Sequence, residues 1–136
     1  MSTDFTIILD SPQHFGNTKG RFKKDVPDAE FVGQLKTYTF GTPRADGGKG
    51  LLMFEALGVN SRHNVLMVNG KDVSGGLRRV VEHEWQGHVT VVPEGAFRPD
   101  GDNELLVESR TLQGESEGNL DDFVVTNVVA MFKTAG

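Results

Sequence analysis

One short segment of the chain gathers side chains that proteins use to recognise a polar ring. Residues 74–88, SGGLRRVVEHEWQGH, contain the only tryptophan of the sequence, Trp85, with Arg78 and His83 a few positions before it. Sugars are held by an aromatic face against the C–H surface of the ring and by planar polar groups that bond the hydroxyls. We therefore select Arg78, His83 and Trp85 as candidate ligand-binding residues. Packing of Trp85 at the edge of a core is the competing interpretation.

A second polar group precedes the last apolar run of the chain. Asn119, Asp121 and Asp122 belong to the segment GNLDD, which ends directly before Phe123. Calcium takes about six to eight oxygen ligands, and carboxylates and loop carbonyls can supply them. We select Asn119 as a further ligand-binding residue and Asp121 and Asp122 as candidate ligands of a structural calcium ion. Capping of a turn is the alternative, and the sequence requires no cofactor.

The remaining reactive side chains do not form a catalytic motif. The chain has no cysteine, which removes thiolate nucleophiles and cysteine-based zinc sites. Its four histidines do not form an HExxH pattern, and no serine lies in a GxSxG turn. Carboxylate pairs such as Glu82 with Glu84 would have to face each other across a cleft, about 5 to 10 Å apart, to hydrolyse a glycoside. A small β-sandwich, which the strand pattern described below predicts, offers edges and loops and not a deep cleft. We therefore expect a protein that is not an enzyme.

Length and charge limit the class of protein. A chain of 136 residues buries one hydrophobic core comfortably, so we expect a single domain over residues 1–136. A net charge of −5, with only one basic cluster at residues 19–24, argues against binding of nucleic acid. No apolar run approaches the roughly 18 residues of a membrane span, and the first residues do not form a signal peptide. We expect a cytoplasmic protein, with non-classical export or association with a particle left open.

The elements that would position these residues are short β-strands. Seventeen glycines and five prolines separate the apolar runs, and Asn69-Gly70 is typical of a two-residue type I′ hairpin. Strands are predicted at residues 5–9, 31–40, 51–57, 65–68, 88–92, 105–109 and 123–132, and one helical turn at 77–84.

The spacing of these strands predicts an all-β fold. Seven or eight short strands separated by turns indicate an antiparallel β-sandwich of jelly-roll type. The run 123–132 is the most β-branched and should lie near the centre of a sheet. We expect Val65, Val91, Val107 and Val125 to share the interior between the two sheets.

Three segments of the chain also carry a family resemblance. They are VLMVNGKDV (65–73), EWQGHVTVVPEGAFRPDGDNELLVESR (84–110) and GNLDDFVVTNVVAMF (118–132). In this order they resemble the galactose-binding-domain-like family of β-sandwich jelly rolls, which includes carbohydrate-binding modules. The resemblance implies a non-catalytic, lectin-like domain that recognises glycans through loops at one end of the sandwich. Those loops would be residues 41–50, 74–85 and 111–122. The resemblance also implies a ligand-binding Asn or a calcium-ligating Asp directly before the last strand, which is the position of Asn119, Asp121 and Asp122.

A structural role is the alternative from a different class. The same sandwich would serve as a subunit of a homo-oligomer, a surface layer or a phage particle, and the partner would be a protein surface instead of a glycan. Strand edges can pair between subunits, and residues 10–27 would form an arm that reaches a neighbour.

Overall fold

The computed structural model describes residues 2–80 and 84–135, which form ten strands. They are β1 (Ser2–Leu9), β2 (Gln13–Phe15), β3 (Glu30–Gly33), β4 (Leu35–Phe40), β5 (Gly50–Leu57), β6 (Val65–Val68), β7 (Lys71–Asp72), β8 (Trp85–Val92), β9 (Asn103–Glu108) and β10 (Phe123–Thr134). The described residues include no helix, and so none that is long and apolar enough to cross a bilayer. The helical turn predicted at 77–84 is wrong for residues 77–80, which are irregular, and residues 81–83 of it lie outside the described part.

The strands form two sheets that pack against each other. One sheet has six strands in the order β3-β2-β10-β5-β8, with β1 also paired to β10, and the other has the order β4-β9-β6-β7. Every pair is antiparallel except β2 with β3. The all-β sandwich expected from the sequence is therefore confirmed.

Strand β10 lies at the centre of the larger sheet. It pairs with β5 along one edge and with β1 and β2 in succession along the other. Its β-branched residues suit a strand that is hydrogen-bonded on both sides. The predicted central position of this run is confirmed, and the loop before it opens at one end of the sandwich.

The core between the sheets is filled by alternate residues of each strand. The buried cluster includes Val107 and Val125, as expected. Val65 is only half-buried and Val91 is 39% exposed, so the expectation that they share this interior is wrong. The inward positions of β6 belong to Leu66 and Val68, and those of β8 to His88, Thr90 and Val92. Because side chains alternate along a strand, an assignment shifted by one residue exchanges the two faces.

Residues 31–40 do not form one strand. They divide into β3 of the six-stranded sheet and β4 of the four-stranded sheet. Gly33 ends β3 with a φ of 88°, a left-handed conformation that glycine adopts without strain. The chain crosses between the two sheets at this point.

The segment between β2 and β3 folds back onto its own sheet. Phe22 and Val26 are buried against Leu57 and Val124, on the face of the six-stranded sheet that points away from the core. In the structural alternative, residues 10–27 would extend towards a neighbour as an arm. In the structure Phe22 and Val26 of this segment are already covered by the same chain.

Candidate functional site

An open depression lies at the end of the sandwich where β10 begins. It has a volume of about 420 Å³. Its lining comes from four segments that are distant in sequence: Arg21, Asn60, Arg79, and the loop between β9 and β10 with Leu112 and residues 119–122. We call this the loop-end depression. It is the place where three of the predicted site residues, Asn119, Asp121 and Asp122, come together.

Asp121 holds the loops around the depression in place. Its Oδ2 atom accepts hydrogen bonds from the backbone N–H groups of Asn60 and Ser61 and from Asn64 Nδ2, each at 2.8 Å. Its backbone carbonyl accepts a hydrogen bond from the Ser109 hydroxyl. Charge-assisted bonds of this kind are stronger than neutral ones. The buried carboxylate therefore joins the loop after β5 to the start of β10, and the Asp121 backbone carbonyl joins the segment after β9 to the same point.

Asp122 fastens the segment on the other side of the depression. His14 Nε2 lies 2.8 Å from Asp122 Oδ1, and since a carboxylate only accepts, the imidazole donates. The same oxygen accepts from the Thr18 backbone N–H at 3.1 Å. A Cβ on Gly16 would come within 2.2 Å of this oxygen, so the turn after β2 requires glycine.

Two side chains of the depression remain available to a ligand. Within residues 2–80 and 84–135, neither the Arg79 guanidinium nor the Asn119 amide has a hydrogen-bond partner, and both residues are exposed. Arg79 is placed by its neighbour Val80, which is buried and donates its N–H to the Val59 carbonyl at 2.8 Å. The exposed side chain of Leu112 adds an apolar contact beside them. The depression thus offers an amide, a guanidinium and an apolar wall.

The structure separates the other predicted ligand-binding residues from this depression. Arg78 is exposed but does not line it; its carbonyl faces His88 Nε2 at 3.4 Å. Trp85 is 43% exposed at the start of β8, on the side of the sheet away from the core, and does not line the depression either. His83 lies outside the described residues.

The three predicted recognition loops do not share one end. Residues 111–122 and the Arg79 end of residues 74–85 border the loop-end depression. Residues 41–50 lie at the far end of β10, where Asp46 N–H bonds the Lys133 carbonyl at 2.9 Å and Ala135 N–H bonds the Arg44 carbonyl at 2.8 Å. The expectation that residues 41–50 belong to the same site is therefore wrong.

Five residues that line the depression were not selected from the sequence: Arg21, Asn60, Arg79, Leu112 and Leu120. Asn60 carried a usable signal, because a polar residue just after a strand and a glycine is well placed for a loop-end site. No sequence signal distinguishes Arg79 from its neighbour Arg78. Arg79 faces the depression because the next residue, Val80, is buried, and that burial is seen only in the structure.

The carboxylates of this region do not form a metal-binding cluster. No group of three His, Asp or Glu side chains in the described ranges is arranged to hold a metal ion. The Asp121 Oδ2 and Asp122 Oδ1 atoms already accept hydrogen bonds from the protein, with which a cation would have to compete. Calcium at Asp121 and Asp122 stays a prediction.

Comparison with known proteins gave no match to a family model, to a curated protein or to a solved structure. The function is therefore inferred from the residues and the geometry of the site.

Proposed function

We propose that the chain is a non-catalytic carbohydrate-binding domain and that the loop-end depression is its binding site. The observation that supports this most directly is the pair of unbonded polar side chains, Arg79 and Asn119, at an open depression. Asn119 stands on the loop that Asp121 holds, and Arg79 stands beside Val80, whose N–H bonds the Val59 carbonyl, so little order is lost when a ligand binds.

The chemistry of the lining suits hydroxyl groups. The Asn119 amide can donate and accept, and the Arg79 guanidinium presents a planar set of donors. Leu112 can cover the C–H surface of a sugar ring in place of an aromatic residue. Because Trp85 does not line the depression, we expect binding in the millimolar range instead of the micromolar range.

The same arrangement favours binding over hydrolysis. A glycoside hydrolase needs one carboxylic acid that carries a proton for the leaving group. The Asp121 Oδ2 and Asp122 Oδ1 atoms instead accept hydrogen bonds from backbone N–H groups, so both carboxylates are engaged in holding the loops. We therefore propose a domain that retains its ligand unchanged.

The galactose-binding type of jelly roll is part of this proposal. Its support is the placement of the three resembling segments: the Asn69-Gly70 turn has positive φ at both residues, 51° and 78°. Asn103, at the end of the Asp-Gly-Asp-Asn turn, is buried and bonds Asn69 Nδ2 at 2.8 Å. The third segment opens β10 at the depression.

A paired substitution tests the site. Arg79→Ala should abolish binding to a glycan array, whereas Arg78→Ala, the adjacent arginine outside the depression, should leave it unchanged. Asn119→Ala and Gln113→Ala form a second matched pair on the loop before β10, because Gln113 is exposed and does not line the depression. Wild-type protein that retains no glycan, with or without calcium, would exclude the function, and an unchanged Arg79→Ala variant would exclude the site.

The second candidate function is that of a subunit in a larger assembly. A different surface of the molecule supports it. The outer face of the six-stranded sheet carries exposed apolar side chains far from the depression, among them Phe5 and Ile7. This surface does not depend on glycan binding.

A further inference from the structure

Half of the outer face of the six-stranded sheet is apolar and uncovered. Its residues form two rows across four strands, which we call the bare face: Phe5, Met131, Leu51 and Val91 in one row, and Ile7, Val129, Met53 and Val89 in the next. Phe5 is 59%, Ile7 60% and Val89 59% exposed. Their sequence neighbours Leu52, Thr90 and Ala130 are buried, which fixes the outward direction of the rows.

Among residues 2–80 and 84–135, the other sheet faces are not exposed in this way. On the other half of the same face, Phe22 and Val26 cover Leu57 and Val124. The outer face of the four-stranded sheet carries Thr37, Thr39 and Glu104 between its apolar residues. A solvated sheet face normally presents polar residues at alternate positions, and a contiguous apolar patch marks an interaction surface. The bare face therefore has the character of an interaction surface.

The two ends of the bare face carry opposite charge. Lys49 and Lys133 lie beyond the row of Phe5, and with Leu51, Val91 and Met131 they line an apolar hollow of about 440 Å³. Glu55 lies beyond the row of Ile7, where it accepts a hydrogen bond from Asn127 Nδ2 at 2.7 Å. Along the strands the face thus runs from a cationic end to an anionic end.

We propose that the bare face is covered by the bare face of a second copy of this chain, with the strands of the two copies running in opposite directions. The two-fold axis lies in the interface and across the strands. In this arrangement Lys49 and Lys133 of each copy lie opposite Glu55 of the other, so the charged ends match twice. The parallel arrangement would place lysine against lysine.

The size of the face sets the strength of the dimer. Four strands about 4.8 Å apart, over some six residues at about 3.3 Å each, give roughly 20 by 20 Å, or about 400 Å² for each copy. This is about half of the roughly 800 Å² per partner in a standard interface. The dimer therefore forms reversibly and is populated at high micromolar protein, not at nanomolar protein.

Sedimentation equilibrium over a wide range of protein concentration tests the proposal. Wild type should pass from monomer to dimer, and Val89→Lys, which places a charge within the second apolar row of the face, should weaken the dimer by at least about 100-fold. Leu35→Lys is the matched control, because Leu35 is 49% exposed on the outer face of the other sheet. A monomer at every concentration overturns the proposal, and so does a dimer that Val89→Lys leaves intact; unchanged circular dichroism checks that each variant is folded.

A charge exchange tests the direction of the strands. Glu55→Lys alone, and Lys49→Glu with Lys133→Glu, should each weaken the dimer because like charges then face each other. The three substitutions together should restore it towards the wild-type value. If the triple variant is weaker than either partial one, the antiparallel arrangement is wrong.

Discussion

Asp121 shows how much a single buried carboxylate can hold. Asp121→Ala would leave two backbone N–H groups and the Asn64 amide without their acceptor. Because each bond to a charged group contributes about 1.5 to 3 kcal/mol, we expect a loss of at least about 3 kcal/mol of unfolding free energy. Urea denaturation measures it, with Asp28→Ala, an exposed aspartate, as the control.

The same measurement separates the two roles of Asp121. If it serves only the loops, calcium and chelator leave the wild-type unfolding midpoint unchanged. If calcium raises the unfolding midpoint of the wild type but not that of Asp122→Ala, the result would support the predicted structural ion. A loss of less than about 1 kcal/mol in Asp121→Ala would contradict its role as an anchor.

Tyr38 gives a second measurement at the scale of one residue. Its hydroxyl donates to Gln13 Oε1 at 2.8 Å, and burial, with a smaller contribution from the Glu30 carboxylate, raises the pKa of the phenol above its ordinary value. The folded state then keeps its proton after the unfolded chain has lost it, so stability is full below about pH 10 and falls as the pH rises further. Since Tyr38 is the only tyrosine, the absorbance of its phenolate reports this group alone.

The expected result is a native titration midpoint above the midpoint in urea. Tyr38→Phe should remove the part of the alkaline loss of stability that this group causes. Equal midpoints in the folded and unfolded chain would contradict the burial of the phenol.

At the scale of the element, the sequence predicts the positions of strands with strong local signals. It does not predict which side chains of each strand point into the core. The β-branched run of β10 and the Asn69-Gly70 turn follow from local chemistry. In β8 the sequence suggests valine inside, yet His88 and Thr90 point inward. Both side chains have partners inside: the Thr90 hydroxyl donates to the Leu52 carbonyl at 3.0 Å, and the His88 ring stacks on Phe54 while its nitrogens face the Gln86 and Arg78 carbonyls.

The same limit applies to the candidate site. Asn119, Asp121 and Asp122 were predicted because they lie together in sequence directly before a strong strand. Arg21 and Asn60 reach the depression only because the segment after β2 folds back and the loop after β5 bonds to Asp121. Contacts of that kind depend on the register of β2 and β5 against β10, which no local pattern contains.

At the scale of the whole molecule, the depression and the bare face lie at different positions along β10. The depression opens where β10 begins, and the bare face uses Val129 and Met131 in its second half. In a dimer with antiparallel strands the two depressions must point to opposite ends. Two such sites cannot bind the same flat surface at the same time, but they can bind two separate glycan chains and so link them.

If both proposals hold, the wild-type dimer should therefore cross-link a soluble, multivalent glycan and make its solution turbid. Val89→Lys should bind a monovalent sugar with unchanged affinity yet fail to cross-link, because each monomer contributes one loop-end depression. Arg79→Ala should lose both activities while still forming the dimer. Cross-linking by a Val89→Lys variant that sediments as a monomer would show that a single chain carries two binding sites, and the link between dimer and cross-linking would then be wrong.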